Sequence, residues 1–77
     1  MTQQFIDILT SINPSIFDDE NADLFADGII DSFDVMRIIA ELERVFAIEF
    51  SIEEVSPENF ASAKSIWALA ETLKGEV

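Results

Sequence analysis

The chain has 77 residues with 16 acids, 4 bases and a net charge of −12, enough for one small domain over residues 1–77 and far too acidic to hold a nucleic-acid backbone or an anionic membrane surface. It contains neither Cys nor His, which excludes disulfides and leaves no ligand set for a structural zinc. Hydrophobic residues make up 49% of it, too many for a disordered acidic tail, so a packed core is expected.

The N-terminal residues MTQQFIDIL have no basic start and no long apolar run, so no signal peptide is expected. No stretch approaches the roughly 20 apolar residues that span a bilayer. A cytoplasmic protein without stable membrane insertion, and a monomer, is the expectation. Phe5, Ile8, Leu9 and Ile12 recur at helical spacing and predict a first helix from about Thr2, a candidate cap, to Ile12. Asn13-Pro14 ends it, because the residue before proline avoids helical geometry.

Residues 14–30 read as an irregular connection rich in Asp18, Asp19, Glu20, Asp23 and Asp27. Ile16, Phe17, Leu24 and Ile29 punctuate it, so it is expected to be pinned onto the core rather than to trail as a linker. A second helix follows over about 32–46, with Val35, Ile38, Ile39, Leu42, Val45 and Phe46 as its apolar stripe. Asp31 is its natural N-cap, and Asp34 three residues on makes a capping box with a shorter acid.

Ile48, Phe50 and Ile52 then alternate with polar residues at strand spacing, but no partner strand is visible. The segment is expected to be an extended loop that tucks these three side chains into the core. Ser56-Pro57-Glu58 is a helix-start signal and predicts a short helix over about 57–60. A last helix is expected over about 62–74, with Ile66, Leu69, Ala70 and Leu73 buried and Lys74-Gly75 closing it. The predicted fold is all-α: a small antiparallel bundle of three longer helices plus one short helix.

Without His, Cys or Tyr, the usual general bases and nucleophiles near neutral pH are missing. A bundle this small also has little room for a substrate cleft. The chain is therefore expected to be no enzyme, but a substrate, a carrier or a binding module.

One constellation carries chemistry. Asp27-Gly28-Ile29-Ile30-Asp31-Ser32 leads from the acidic connection into the second helix. Asp31 caps the helix and Ser32 opens its first turn, where free N–H groups and the positive end of the helix dipole favour a covalently held phosphate. An Asp-Ser pair is also simply a common helix start. On a helical wheel Phe33 points away from the core stripe, with Met36, Arg37, Ala40 and Arg44 on the same outward side and Ser32 on its flank. Such an apolar strip is either a partner surface or a residue set folded under the long connection. Trp67, one step off the last helix's stripe, is either a packing residue or the flank of a cargo groove between the second and last helices.

The run DGIIDSFDVMRIIAELERVF resembles the signature of acyl carrier proteins and peptidyl carrier domains, Asp-Ser followed by an apolar residue, and the resemblance extends over nearly the whole chain. It implies that Ser32 carries 4′-phosphopantetheine, attached through its hydroxyl by a phosphopantetheinyl transferase that uses coenzyme A. It further implies an acyl or aminoacyl cargo held as a thioester, an acyl- or aminoacyl-activating ligase that loads it, and a downstream acyltransferase or synthase. Asp31 would help the transferase and its metal recognise the site. Phe33 stands where the family has an apolar contact residue, and Met36, Arg37 and Ala40 share its surface. Fatty-acid carriers place acids along this helix, whereas Arg37 and Arg44 face outward here. The stretch IEEVSPENFASAKSIWAL looks closer to peptidyl carriers or to D-alanyl carrier proteins.

Two other readings compete. An unmodified acidic adaptor bundle shares the fold and makes no demand on Ser32. An EF-hand-like calcium site matches Asp23, Asp27, Gly28, Ile30, Asp31 and Asp34, but has Phe25 where a ligand is needed and no entering helix.

Overall fold

The computed structural model describes residues 1–75. It contains three α-helices, α1 (Gln3–Ile12), α2 (Ser32–Phe46) and α3 (Ala63–Gly75), and among the described residues no strand. Two short 3-10 turns, Pro14–Phe17 and Ile52–Glu54, interrupt the connections.

The helix starts follow their capping residues. Thr2 Oγ1 accepts from Phe5 N–H at the start of α1, and Ser62 Oγ accepts from Ser65 N–H at the start of α3. Helix α1 stops at Ile12 because Pro14 cannot continue it. Asn13 then uses both ends of its amide: its oxygen accepts from Ser15 N–H at 2.9 Å, and its nitrogen donates to Ile29 O at 2.6 Å. One side chain thus ties the first residue of the long connection to its last turn.

Of the residues expected to pin that connection, Ile16 and Leu24 are buried and Ile29 is half-buried, but Phe17 is exposed; Ile30 is buried in addition. Leu24 N–H reaches Ala61 O at 2.7 Å, and Leu24 O accepts from both Ile29 and Ile30 N–H. Gly28, at φ +74°, makes this tight return without the penalty a side chain would incur. The segment is therefore an ordered arm of the core that delivers Asp31 to the start of α2.

Helix α2 buries Val35, Ile38 and Leu42, with Ile39, Val45 and Phe46 half-buried beside them. Helix α3 contributes Ala63, Ile66, Ala70 and Leu73, and Leu69 is only partly covered. Gly75 is still helical; closure beyond it lies outside the described residues. Trp67 packs edge-on against the fully buried Phe5, with ring centroids 5.0 Å apart, so it is a packing residue of the α1–α3 contact.

Helix α2 ends on Ala47 at φ 55°, in the left-handed region that glycine usually fills. A Cβ there costs about 1 kcal/mol. Ala47→Gly is therefore expected to raise the thermal midpoint by about 4 °C, read by circular dichroism. A fall would show that glycine's extra freedom in the unfolded chain outweighs the relief.

The segment after α2 departs from expectation in two places. Ile48 is buried and Phe50 is half-buried, but Ile52 is 92% exposed and opens a 3-10 turn instead of entering the core. Alternation implied a common face for all three, and the turn at 52–54 breaks that period. The helix expected at 57–60 is a single hydrogen-bonded turn: Ser56 Oγ caps Asn59 N–H, and Phe60 N–H reaches Ser56 O. The start signal works, but the chain must deliver Phe60, fully buried, to the core and restart at the Ser62 cap. A helix nucleus this short gains too few bonds to propagate.

Candidate functional site at the start of α2

The site is built by a reciprocal cap. Asp31 Oδ1 accepts from Asp34 N–H at 3.0 Å, and Asp34 Oδ2 accepts from Asp31 N–H at 3.4 Å. Asp31 O accepts from Val35 N–H at 3.0 Å. The first-turn amides of Ser32 and Phe33 are left with no acceptor among the described residues. Ser32 is exposed, and its hydroxyl takes part in no hydrogen bond among the described residues. A nucleophilic oxygen is thus held in fixed backbone geometry, open to solvent, beside two free N–H groups at the positive end of a 15-residue helix.

The outward face of α2 is as the wheel placed it. Phe33 is 77% exposed and Met36 66% exposed, so neither folds under the long connection. Arg37 and Ala40 are exposed on the same helix. The helix's acids, however, are all engaged. Asp34, besides its cap, lies 3.6 Å from Arg37. Glu41 pairs with Arg44 at 2.7 Å, a hydrogen-bonded contact that holds the Glu41 carboxyl below its usual range and raises Arg44. Glu43 accepts from Phe50 N–H at 3.0 Å. This face therefore offers a partner apolar side chains fringed by the Asp34–Arg37 and Glu41–Arg44 pairs, with the Asp31 and Glu43 carboxylates unpaired by any cation among the described residues.

The carboxylates that an EF-hand would aim at one ion are turned onto backbone. Asp23 Oδ1 accepts from Phe25 and Ala26 N–H, Asp27 Oδ2 accepts from Asp23 N–H, and Asp31 and Asp34 serve the cap. Among the described residues no three such groups gather to hold a metal.

Two surface clefts stand out among the described residues. One, of about 450 Å³, lies over Ile6, Ile16, Phe17 and Leu24, beside Lys64. The other, of about 550 Å³, lies beside Glu43, Glu49, Phe50 and Glu54. Neither of these two clefts is lined by Ser32 or Trp67.

The cap can be tested apart from any partner. Asp31→Asn keeps an acceptor and should leave stability within a few tenths of a kcal/mol, whereas Asp31→Ala should lose about 1 kcal/mol, read from urea midpoints. Equal losses would mean that the charge on Asp31, not its acceptor oxygen, holds the turn.

A small helical domain that presents an unengaged serine at a capped helix start, flanked by exposed apolar residues, has the architecture of a carrier for a covalently attached group. The comparison with known families agrees: the phosphopantetheine attachment site family matches residues 3–73, and the chain belongs to it. Its cofactor is 4′-phosphopantetheine. The free Ser32 hydroxyl and the two unsatisfied amides beside it fit that group. The chain is 34% identical over 73 residues to the D-alanyl carrier protein of Staphylococcus saprophyticus, covering 92% of this chain and 94% of the relative. It is 32% identical over 78 residues to that of Lactococcus lactis subsp. lactis, covering 99% of each. No helix among the described residues is long and apolar enough to cross a membrane.

Proposed function

We propose that residues 1–77 form a single carrier domain that holds an aminoacyl cargo, D-alanyl by its likeness to the named relatives, on 4′-phosphopantetheine attached to Ser32. The observation that carries this reading is the placement of Ser32, exposed, unengaged and first in α2. The group supplies a flexible arm and a terminal thiol on which the cargo rides as a thioester, which a chain without Cys cannot provide.

The chain's own residues position and present. Asp31 and Asp34 lock the turn so that Ser32 Oγ meets a phosphopantetheinyl transferase in one geometry. The Ser32 and Phe33 amides, with the α2 dipole, stabilise the phosphodiester once formed. Phe33, Met36, Arg37 and Ala40 form the surface read by the transferase, by the aminoacyl-activating ligase and by the downstream acyltransferase. The protein performs no chemistry itself and acts in the cytoplasm as a monomer, where coenzyme A supports its modification.

The test is intact mass after incubation of the apo protein with coenzyme A and a broad-specificity transferase. A gain of one phosphopantetheine, absent from Ser32→Ala, is expected. No gain with two such transferases overturns the reading and favours the unmodified adaptor.

A further inference from the structure

Asn13 is where the end of α1 meets the approach to Ser32. Two partners of opposite kind fix its amide: Ser15 N–H donates to its oxygen at 2.9 Å, and its nitrogen donates to Ile29 O at 2.6 Å. The first bond is local. The second spans sixteen positions and ends three residues before Ser32.

The approach to Ser32 has few other ties. Within residues 23–30 the chain bonds mostly to itself: Asp27 N–H to Asp23 O, Gly28 N–H to Phe25 O, and the Ile29 and Ile30 N–H groups to Leu24 O. These bonds give the turn a shape but not a place. Among the described residues only two hydrogen bonds reach it from elsewhere, Leu24 N–H to Ala61 O at 2.7 Å and Asn13 to Ile29 O. The first holds the turn where it begins, and the buried Leu24 and Ile30 side chains hold its inner edge. Ala26, Asp27 and Gly28 are exposed, so packing does little to stop the outer part from pivoting. Beyond Leu24, the Asn13 latch is the one hydrogen bond that ties this turn to another element among the described residues.

Geometry puts the turn under any enzyme that acts on the Ser32 hydroxyl. Gly28 lies four residues before Ser32, so the two are at most about 14 Å apart. Even a small transient interface covers about 600 Å² of each partner, a disc of about 14 Å radius. Centred on Ser32, it takes in the 28–31 backbone. A turn that pivots must be ordered when the enzyme binds, and that cost falls on affinity. Asp31 and Asp34 already fix Ser32 relative to α2 itself. What is left to fix is the turn relative to α2.

We propose that Asn13 is a positioning residue for the modification of Ser32: by holding Ile29 O it presets the 25–30 turn against α2, so that the transferase meets a surface already ordered. This rests on the carrier reading above. In the step served, Ser32 Oγ bonds to the phosphorus next to pantetheine in coenzyme A, the pyrophosphate P–O bond breaks, adenosine bisphosphate leaves and the hydroxyl proton passes to solvent. Asn13 takes no part in this exchange and acts on binding alone.

The test uses the full chain with Asn13→Ser and Asn13→Asp. Each keeps an oxygen for Ser15 N–H and loses the donor to Ile29 O. Asn13→Ser adds no charge at the C-terminal end of α1, so the test stands even where Asn13→Asp fails to fold. Thr2→Ala is the control: it removes the cap at the other end of α1 and leaves the latch alone. Initial rates of phosphopantetheine gain are measured by mass against carrier concentration, with coenzyme A in excess, and expressed per folded protein from circular dichroism. NMR relaxation of the backbone amides is recorded on the same apo proteins.

Both Asn13 variants are expected to raise KM by about threefold or more, the scale of one hydrogen bond, with kcat unchanged. Order parameters at Ala26, Asp27 and Gly28 should fall below the rigid range of about 0.85, while those of α2 hold. Thr2→Ala should match the parent in both measurements. Unchanged KM in the Asn13 variants, unchanged order parameters, an equal rise of KM in Thr2→Ala, or a loss confined to kcat overturns the assignment. Failure of the parent itself to gain mass overturns instead the carrier reading.

Discussion

The Ser32→Ala protein should fold as well as the parent and gain no phosphopantetheine. Its stability should stay within about 0.5 kcal/mol, because Ser32 is exposed and its hydroxyl bonds to nothing among the described residues. Alanine is also the better helix former at the first position of α2. The covalent step, however, has no other oxygen to use at that place. Of the other serines, Ser11 Oγ donates to Ile8 O, Ser56 Oγ caps the 57–60 turn, and Ser62 Oγ caps α3 and meets Ser65 Oγ, while Ser15 and Ser51 are exposed at the two 3-10 turns and not at the start of an α-helix. Ser62→Ala is the matched control. It should lower the thermal midpoint by removing a cap worth about 1 kcal/mol, yet keep the mass gain in full. A variant lacking Ser32 that still gained the group would move the attachment site elsewhere and remove the role proposed for the α2 start.

Phe60→Ala should be the most destabilising single change outside the helices. Phe60 is 0% exposed and packs against Phe50 across the irregular connection. Truncating a buried phenylalanine costs about 3–5 kcal/mol in lost burial and cavity formation. A domain of 77 residues holds only roughly 4–12 kcal/mol in total. The midpoint should fall by at least about 12 °C by circular dichroism, with part of the population unfolded near physiological temperature. A loss under about 1 kcal/mol would mean that the 57–60 turn contributes no core.

Much of this molecule is legible in its residue pattern. The extent of α2 over 32–46, its cap by Asp31 and Asp34, and the outward placement of Phe33 and Met36 follow from local rules: a polar acceptor before an apolar stripe of period 3.6. Ser32 as the candidate attachment point follows from the same rules together with the family resemblance, since a cap fixes the residue after it. The pinning of the acidic connection was legible from its apolar residues, but not its fastening through Asn13 to Ile29, a contact across sixteen positions.

The segment 47–62 was not legible. Its alternation resembles a half-buried strand, and its Ser-Pro-Glu resembles a helix start; both are local signals of real preferences. Neither reports that Glu43 captures Phe50 N–H, that Phe60 is needed in the core, or that Ile52 is left outside. The same limit holds for the charges of α2, whose acids are all present in the sequence. That Glu43 is held by a residue seven positions away, while Glu49, Glu53 and Glu58 stay open, is a matter of three-dimensional placement. By itself the sequence determined the helices, the cap and the serine, because each depends on neighbours within one or two turns. Only the tertiary structure decided which apolar and acidic side chains remain for partners, because that depends on how much core surface is available and which chain segments reach it first.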